Sequence, residues 1–268
     1  LFLNKKDQSN NEKPGARHRV FFNAKFRHIR YDLLMSKAIA YGVGSLSNSG
    51  KVFIQNPADL PEDRIKAIHQ RDDHSCQFCG FTSLKYQQIQ FLGERVKDAP
   101  DDEYVTACTF CHQCFHLDRI AFMQSGTLIW LPELTQAELN NICRAIYIAR
   151  ITQGPIADAA RDALDILMDR KPEARNRLGT DDLKVLATIF QDFMESKEYK
   201  QRNNRIQGFR ILPLDRRLVK EGELEFNQFP QMLAYWRSTE GPYGAIPPRN
   251  WAEMFYNLKD TLRATPQE

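Results

Sequence analysis

The sequence has 268 residues, 42% hydrophobic and 26% charged, with a formal net charge of +3. Such a chain can build a core of its own, and 13 glycines and 13 prolines exclude the collagen-like and low-complexity classes. No apolar run approaches the ~18–20 residues that cross a bilayer, and no secretory-leader pattern opens the sequence.

The charge is uneven. Residues 1–60 hold ten Lys/Arg against four Asp/Glu, and the remainder holds 27 against 30. Residues 1–16 are polar, with little order expected. Lys13, Arg17, Arg19, Lys25, Arg27 and Arg30 then interleave with Phe21, Phe22 and Phe26. Basic residues with aromatics between them can bind single-stranded nucleic acid, or can snorkel around an apolar face. The near-neutral total favours the second reading. A short helix is expected over 32–40, a strand over 51–55 and a helix from Pro61 to about 70, with Ile65 and Ile68 turned inward.

Six cysteines follow at 76, 79, 108, 111, 114 and 143, five of them within 39 residues. The spacing is C-x2-C, 28 residues, then C-x2-C-x2-C. In a long chain that opens on no leader pattern, paired C-x2-C turns are expected to be a metal site rather than a disulfide framework. Each turn presents two sulfurs to one ion, and two turns complete a tetrahedron; four soft thiolates select zinc. Gly80 allows the first turn to close. Cys76 and Cys79 are the first pair. The second is Cys108 with Cys111 or Cys111 with Cys114. The strand-like Val105-Thr106-Ala107 leading into Cys108 favours Cys108 and Cys111. Cys114, His112 and His116 are then helix residues near the site, and Cys143 packs in the core. His69, His74, Asp72 and Asp73 flank the first turn, the two aspartates on a solvated loop.

Strands are expected over 86–91 and 105–107 around an acidic loop at 95–103, followed by a helix over 111–123 and a strand over 127–131. Thr135 and Glu138 form a capping-box pattern, and Leu139, Ile142, Cys143 and Ile146 recur at helical spacing. A second helix covers about 156–170 and ends at Pro172. A third opens at Gly179 with Leu183, Leu186, Ile189, Phe190, Phe193 and Met194 inward. Residues 208–214 are extended or turn, 230–237 form a helix with Trp236, and an amphipathic helix starts near Asn250. The fold class is α+β, in four parts: a basic extension (1–50), a zinc domain (51–135), a helical region (136–215) and a carboxy-terminal extension (216–268).

The order of turn, strand, loop, strand, turn and helix resembles the ββα-metal core of HNH nucleases, and Cys108-Thr109-Phe110-Cys111-His112 looks like its second half. The resemblance implies a histidine base on the first strand and an asparagine before the second. Gln87 and Gln88 stand at the first position and Glu103 at the other. A glutamine accepts no proton at neutral pH, so no nuclease activity and no catalytic residue is expected.

A closer resemblance covers about 65–150 and continues loosely to 215. Gln70-Arg71-Asp72, the Cys76–Phe81 turn, Cys111-His112-Gln113-Cys114-Phe115 and the stretch 126–140 (GTLIWLPELTQAELN) together resemble the IcmJ/DotN family. Its members are cytoplasmic subunits of the coupling-protein complex in Dot/Icm-type (type IVB) secretion. The resemblance implies an HNH-like fold with one structural zinc and no nuclease role. It also implies a partner, the carboxy-terminal tail of a VirD4-like coupling ATPase, together with other subunits of that complex at the inner membrane. Residues 1–50 and 220–268 lie outside the resemblance. The competing expectation is an HNH-type nuclease or nucleic-acid-binding protein.

Overall fold

The computed structural model describes residues 37–43, 60–93 and 99–244. The expected strand at 51–55, most of the helix at 32–40, the polar and basic amino-terminal stretch and the helix from Asn250 lie outside them. Residues 37–43 are neither helix nor strand.

Helix α1 (Glu62–Arg71) begins after Pro61 and carries Glu62 and Asp63 in its first turn and His69 and Arg71 in its last. Glu62 and Asp63 at one end and Arg71 at the other carry charges that oppose the helix dipole. Its Ile68 is buried with Ile89, Phe91, Ala99 and Tyr104. A turn with left-handed Asp73 and His74 leads into the first C-x2-C. Strand β1 (Gln87–Phe91) pairs antiparallel with β2 (Tyr104–Cys108), Gln87 opposite Cys108.

Two helices replace the one expected over 111–123: α2 (Thr109–Gln113) and α3 (Leu117–Met123). The cause is not local. Gly42 from the distant 37–43 segment donates its N–H to Cys114 O and accepts from Leu117 N, at 3.1 and 2.8 Å, so two backbone groups of a continuous helix are spent elsewhere. A Cβ at Gly42 would come within 3.2 Å of Phe115 O and of the Tyr199 hydroxyl.

Strand β3 (Gly126–Trp130) leads to α4 (Gln136–Arg150), where Thr135 and Glu138 make the reciprocal capping box. Helix α5 (Pro155–Met168) follows. Pro172 does not end it but sits in the first turn of a further helix, α6 (Lys171–Leu178), where its missing N–H costs nothing. Helix α7 (Leu183–Thr188) widens into a π turn over Ile189–Phe193. The extra residue shifts the facing: Leu183, Leu186, Phe190 and Met194 are buried, whereas Phe193 is 76% exposed and Ile189 also lies outside. Short helices α8 (Ser196–Lys200) and α9 (Arg202–Arg205) precede β4 (Phe209–Pro213), which pairs antiparallel with β3. A hairpin of β5 (Leu218–Glu221) and β6 (Leu224–Asn227), unforeseen from sequence, turns at left-handed Gly222. Helix α10 (Phe229–Arg237) carries buried Trp236. Among the described residues no helix is long and apolar enough to cross a membrane.

One buried cluster joins both C-x2-C turns to α4, α5, β4 and α10. Gln136 at the start of α4 ties the pieces. Its amide accepts from Ile211 N (2.8 Å) and from the Tyr41 hydroxyl (2.8 Å), and donates to Ile211 O (2.7 Å) and Asn140 Oδ1 (2.9 Å). It therefore treats β4 as a neighbouring strand would. Gln136→Leu is expected to lower the unfolding free energy by about 1–3 kcal/mol, because a buried N–H loses its acceptor. Urea denaturation followed by circular dichroism measures it; an unchanged midpoint would show that β4 needs no such amide.

Candidate metal centre

The first turn closes with Gly80 N donating to Cys76 O and Cys76 N to Phe81 O, both at 2.9 Å, and with Gly80 at φ +72°. The second forms where β2 runs into α2: Cys108 caps the helix, its sulfur accepting from Cys111 N at 3.4 Å. The β1–β2 pairing brings the two turns together. The sulfurs of Cys76, Cys79, Cys108 and Cys111 all lie within 4.8 Å of one another and all four residues are buried. Cys79 and Cys108 sulfurs are 3.6 Å apart. Metal–sulfur arms of ~2.3 Å in a tetrahedron put sulfurs about 3.8 Å apart, so the donor set fits one thiophilic ion. Among the described residues this is the group that could hold a metal.

Cys114 is elsewhere. Its sulfur donates to Phe110 O at 3.3 Å and its side chain belongs to the cluster around α3 and α7. Burial pushes its thiol well up, and does the same to Cys143, which packs inside α4.

Three groups around the sulfurs were not anticipated. Arg144 of α4 is fully buried and donates to Cys108 Sγ at 3.1 Å and Cys79 Sγ at 3.0 Å. Its guanidinium lies 4.2 Å from the Phe81 ring centroid and 5.5 Å from that of Phe110. Asn140, one turn earlier, donates to Cys111 Sγ at 3.2 Å. Asp72, expected on a solvated loop, has a side chain only 8% exposed and accepts from Thr106 N at 2.7 Å, pinning the first turn to β2. Asp73 is exposed, as expected. His69 lies against Thr106 Oγ1 at 3.0 Å and stacks on His74.

The remaining positions carry structural duties. Gln87 donates to His74 O and Phe81 O, holding the turn; Gln88 donates to the adjacent Gln87 O. Glu103 closes a short 3-10 turn, and its carbonyl accepts from Leu92 N. His112 is buried beside His116.

The sulfurs differ electrically. Burial raises all four thiols. Against it, hydrogen bonds from the neighbouring thiols and the charge of Arg144 draw Cys108 well below its ordinary value and Cys79 below it as well. Cys76 and Cys111 stay well above, burial being reinforced by the sulfur of Cys108. Burial would lower Arg144, but the Cys108 and Cys79 thiolates hold it charged. The positive charge of Arg144 thus favours ionisation of the two sulfurs it touches over the other two.

Fold and site thus define an α+β protein of helices and short antiparallel strands around a buried four-sulfur centre able to hold a metal ion. No family model matches the sequence. The chain is 32% identical to the type 4 apparatus protein DotN of Legionella pneumophila over 170 residues, which span 60% of this chain and 79% of that protein. It belongs to the DotN/IcmJ family.

Three outcomes follow from this arrangement. Arg144→Met should weaken metal retention against a chelator by about tenfold or more, the usual scale for groups that orient ligands; by elemental analysis Cys114→Ser should keep full metal content and Cys111→Ser should not. Equal metal in wild type and Cys111→Ser would remove that residue from the set. Zinc titrated into the metal-free chain should release protons, giving heats that depend on the buffer's ionisation enthalpy, and should bind more weakly as pH falls and protons compete for sulfur. Buffer-independent heats would mean that all four sulfurs were already ionised.

Proposed function

We propose that the protein is a non-catalytic, zinc-stabilised adaptor of a type IVB secretion coupling complex. In this reading it binds the carboxy-terminal tail of a VirD4-like coupling ATPase and works beside other subunits of that complex on substrate recruitment. The observation that carries the reading is the closed sulfur shell. Cys76, Cys79, Cys108 and Cys111 would hold one zinc ion with no position left for water. Such a site contributes folding energy, of order 10–16 kcal/mol in zinc-finger peptides, rather than a reactive hydroxide.

Several features support it. The succession of turn, β1, β2, turn and α2 has the order of an HNH-like core. The positions of a base hold Gln87 and Gln88, whose amides are occupied as structural donors. A relative named for a secretion apparatus fits an assembly component. The protein would then sit in the cytoplasm, peripheral to the inner membrane through its partner, with 51–135 as the zinc domain, 136–215 as a helical region, and 1–50 and 216–268 as extensions.

The zinc-loaded full chain should co-purify with the coupling ATPase tail whichever of the two carries the affinity tag. A clean negative in both orientations would sink the adaptor reading. It should also leave supercoiled plasmid intact with magnesium or manganese. Nicking that disappears in His112→Ala would establish the nuclease alternative instead.

A further inference from the structure

The corner between α2 and α3 holds a second group of polar side chains that the sulfur centre does not use. His112 and His116 stand one turn apart with ring centroids 4.4 Å apart. They are 7% and 1% exposed. His112 Nε2, both ring nitrogens of His116, Gln113 Nε2 and Arg217 Nη1 are buried and have no hydrogen-bond partner.

The chain leading into β5 brings Arg217 to this corner. Leu214 N donates to Ser125 O at 3.0 Å, and the Ser125 hydroxyl donates to Gln113 Oε1 at 2.9 Å. Arg216 donates to Gln124 Oε1 at the end of α3, and β5 packs on that helix. Arg217 itself is held at Nε by Gln228 Oε1 at 3.1 Å, which leaves Nη1 for another acceptor.

Donors outnumber acceptors among the five atoms. A guanidinium and a carboxamide nitrogen only donate, and the neutral His116 ring offers one donor and one acceptor nitrogen. Buried donors without acceptors are costly, so a group of them implies an absent acceptor. The local field has the matching sign. At the His116 ring, after burial, the charges of Arg119 and Arg217 act against a further positive charge, with Asp118 opposing them. A transition metal on His112-x3-His116 would meet that same field, and the described residues supply no third ligand.

We propose that His112, Gln113, His116 and Arg217 form a binding site for a small oxyanion, phosphate or carboxylate, beneath the β5–β6 hairpin. The site is separate from the sulfur centre in its atoms and does not depend on the adaptor reading. An acceptor there would satisfy donors from α2, from the α2–α3 turn and from the stem of the hairpin together, and so would fix the hairpin against α3.

The test uses the zinc-loaded full chain. Melting temperature and titration calorimetry are measured with inorganic phosphate and with acetate, each against sodium chloride of matched ionic strength. A saturable rise above chloride is expected with at least one of them, and which one distinguishes a free phosphate from a carboxylate source. Arg217→Met should weaken that binding by about tenfold or more, the scale of one hydrogen bond to a charged group. Gln113→Leu, which removes no charge, serves as the second variant should Arg217→Met fail to melt cooperatively. No rise above chloride, or an equal rise in variants that fold, overturns the proposal. So does one-to-one binding of cobalt to the zinc-loaded chain that is lost in His116→Phe, with no phosphate or acetate effect.

Discussion

A buried guanidinium against two cysteine sulfurs organises this protein. Taking an arginine out of water costs several kcal/mol even after relaxation, and it persists only where its charge is answered. Arg144 has sulfur at two of its nitrogens and the Phe81 ring on its plane. The dependence is mutual. Were a dication held there, four thiolates around it would leave a net charge of minus two in a dry interior, and a fixed positive group beside Cys79 and Cys108 would make that charge tolerable. Helix α4 therefore cannot rotate or slide without exposing an ion on each side.

From there the constraint spreads by hydrogen bonds. Asn140 holds Cys111, Gln136 holds Asn140, and Tyr41 and Ile211 hold Gln136. Each donor reaches one layer further from the sulfurs, so the orientation of α4 fixes where β4 and the 37–43 segment lie. The aromatic side chains close the same region from the α10 side. Phe81, Phe110 and Phe229 meet Trp236 at 5.6, 5.8 and 6.2 Å, edge to face.

The sequence is legible where structure is local. The C-x2-C spacing puts the four sulfurs on the page, Thr135 and Glu138 mark the start of α4, and the strand pair around 87–108 is readable from its alternation and the acidic loop. It is silent where a distant group decides. Nothing within 111–123 says that Gly42 will take two of its backbone groups and split the helix. Arg144 sits beside an apolar stripe, and nothing near it in the sequence says what it answers until the sulfurs facing it are known. One signal was available: Asn140, Cys143, Arg144 and Tyr147 share a face, and two strongly polar residues on a core-facing stripe ask what they satisfy. Pro172 is ambiguous by nature, since proline both follows helices and starts them. The π turn has no signature of its own, and the outward Phe193 is its result.

The ladder between β3 and β4 joins Gly126 to Pro213 and Trp130 to Phe209, with six helices and the π turn strung between the two strands. Contacts that span so much chain are slow to close, because the connecting loop must surrender its entropy before the pairing repays it. The sulfur turns, by contrast, lie within a few dozen residues of each other. During synthesis the amino-terminal half can assemble its cysteine centre while the ribosome is still making the segment that will complete β3. Until β4 emerges, the edge of β3 that it will cover keeps its backbone donors and acceptors unpaired, a template for pairing with the wrong strand.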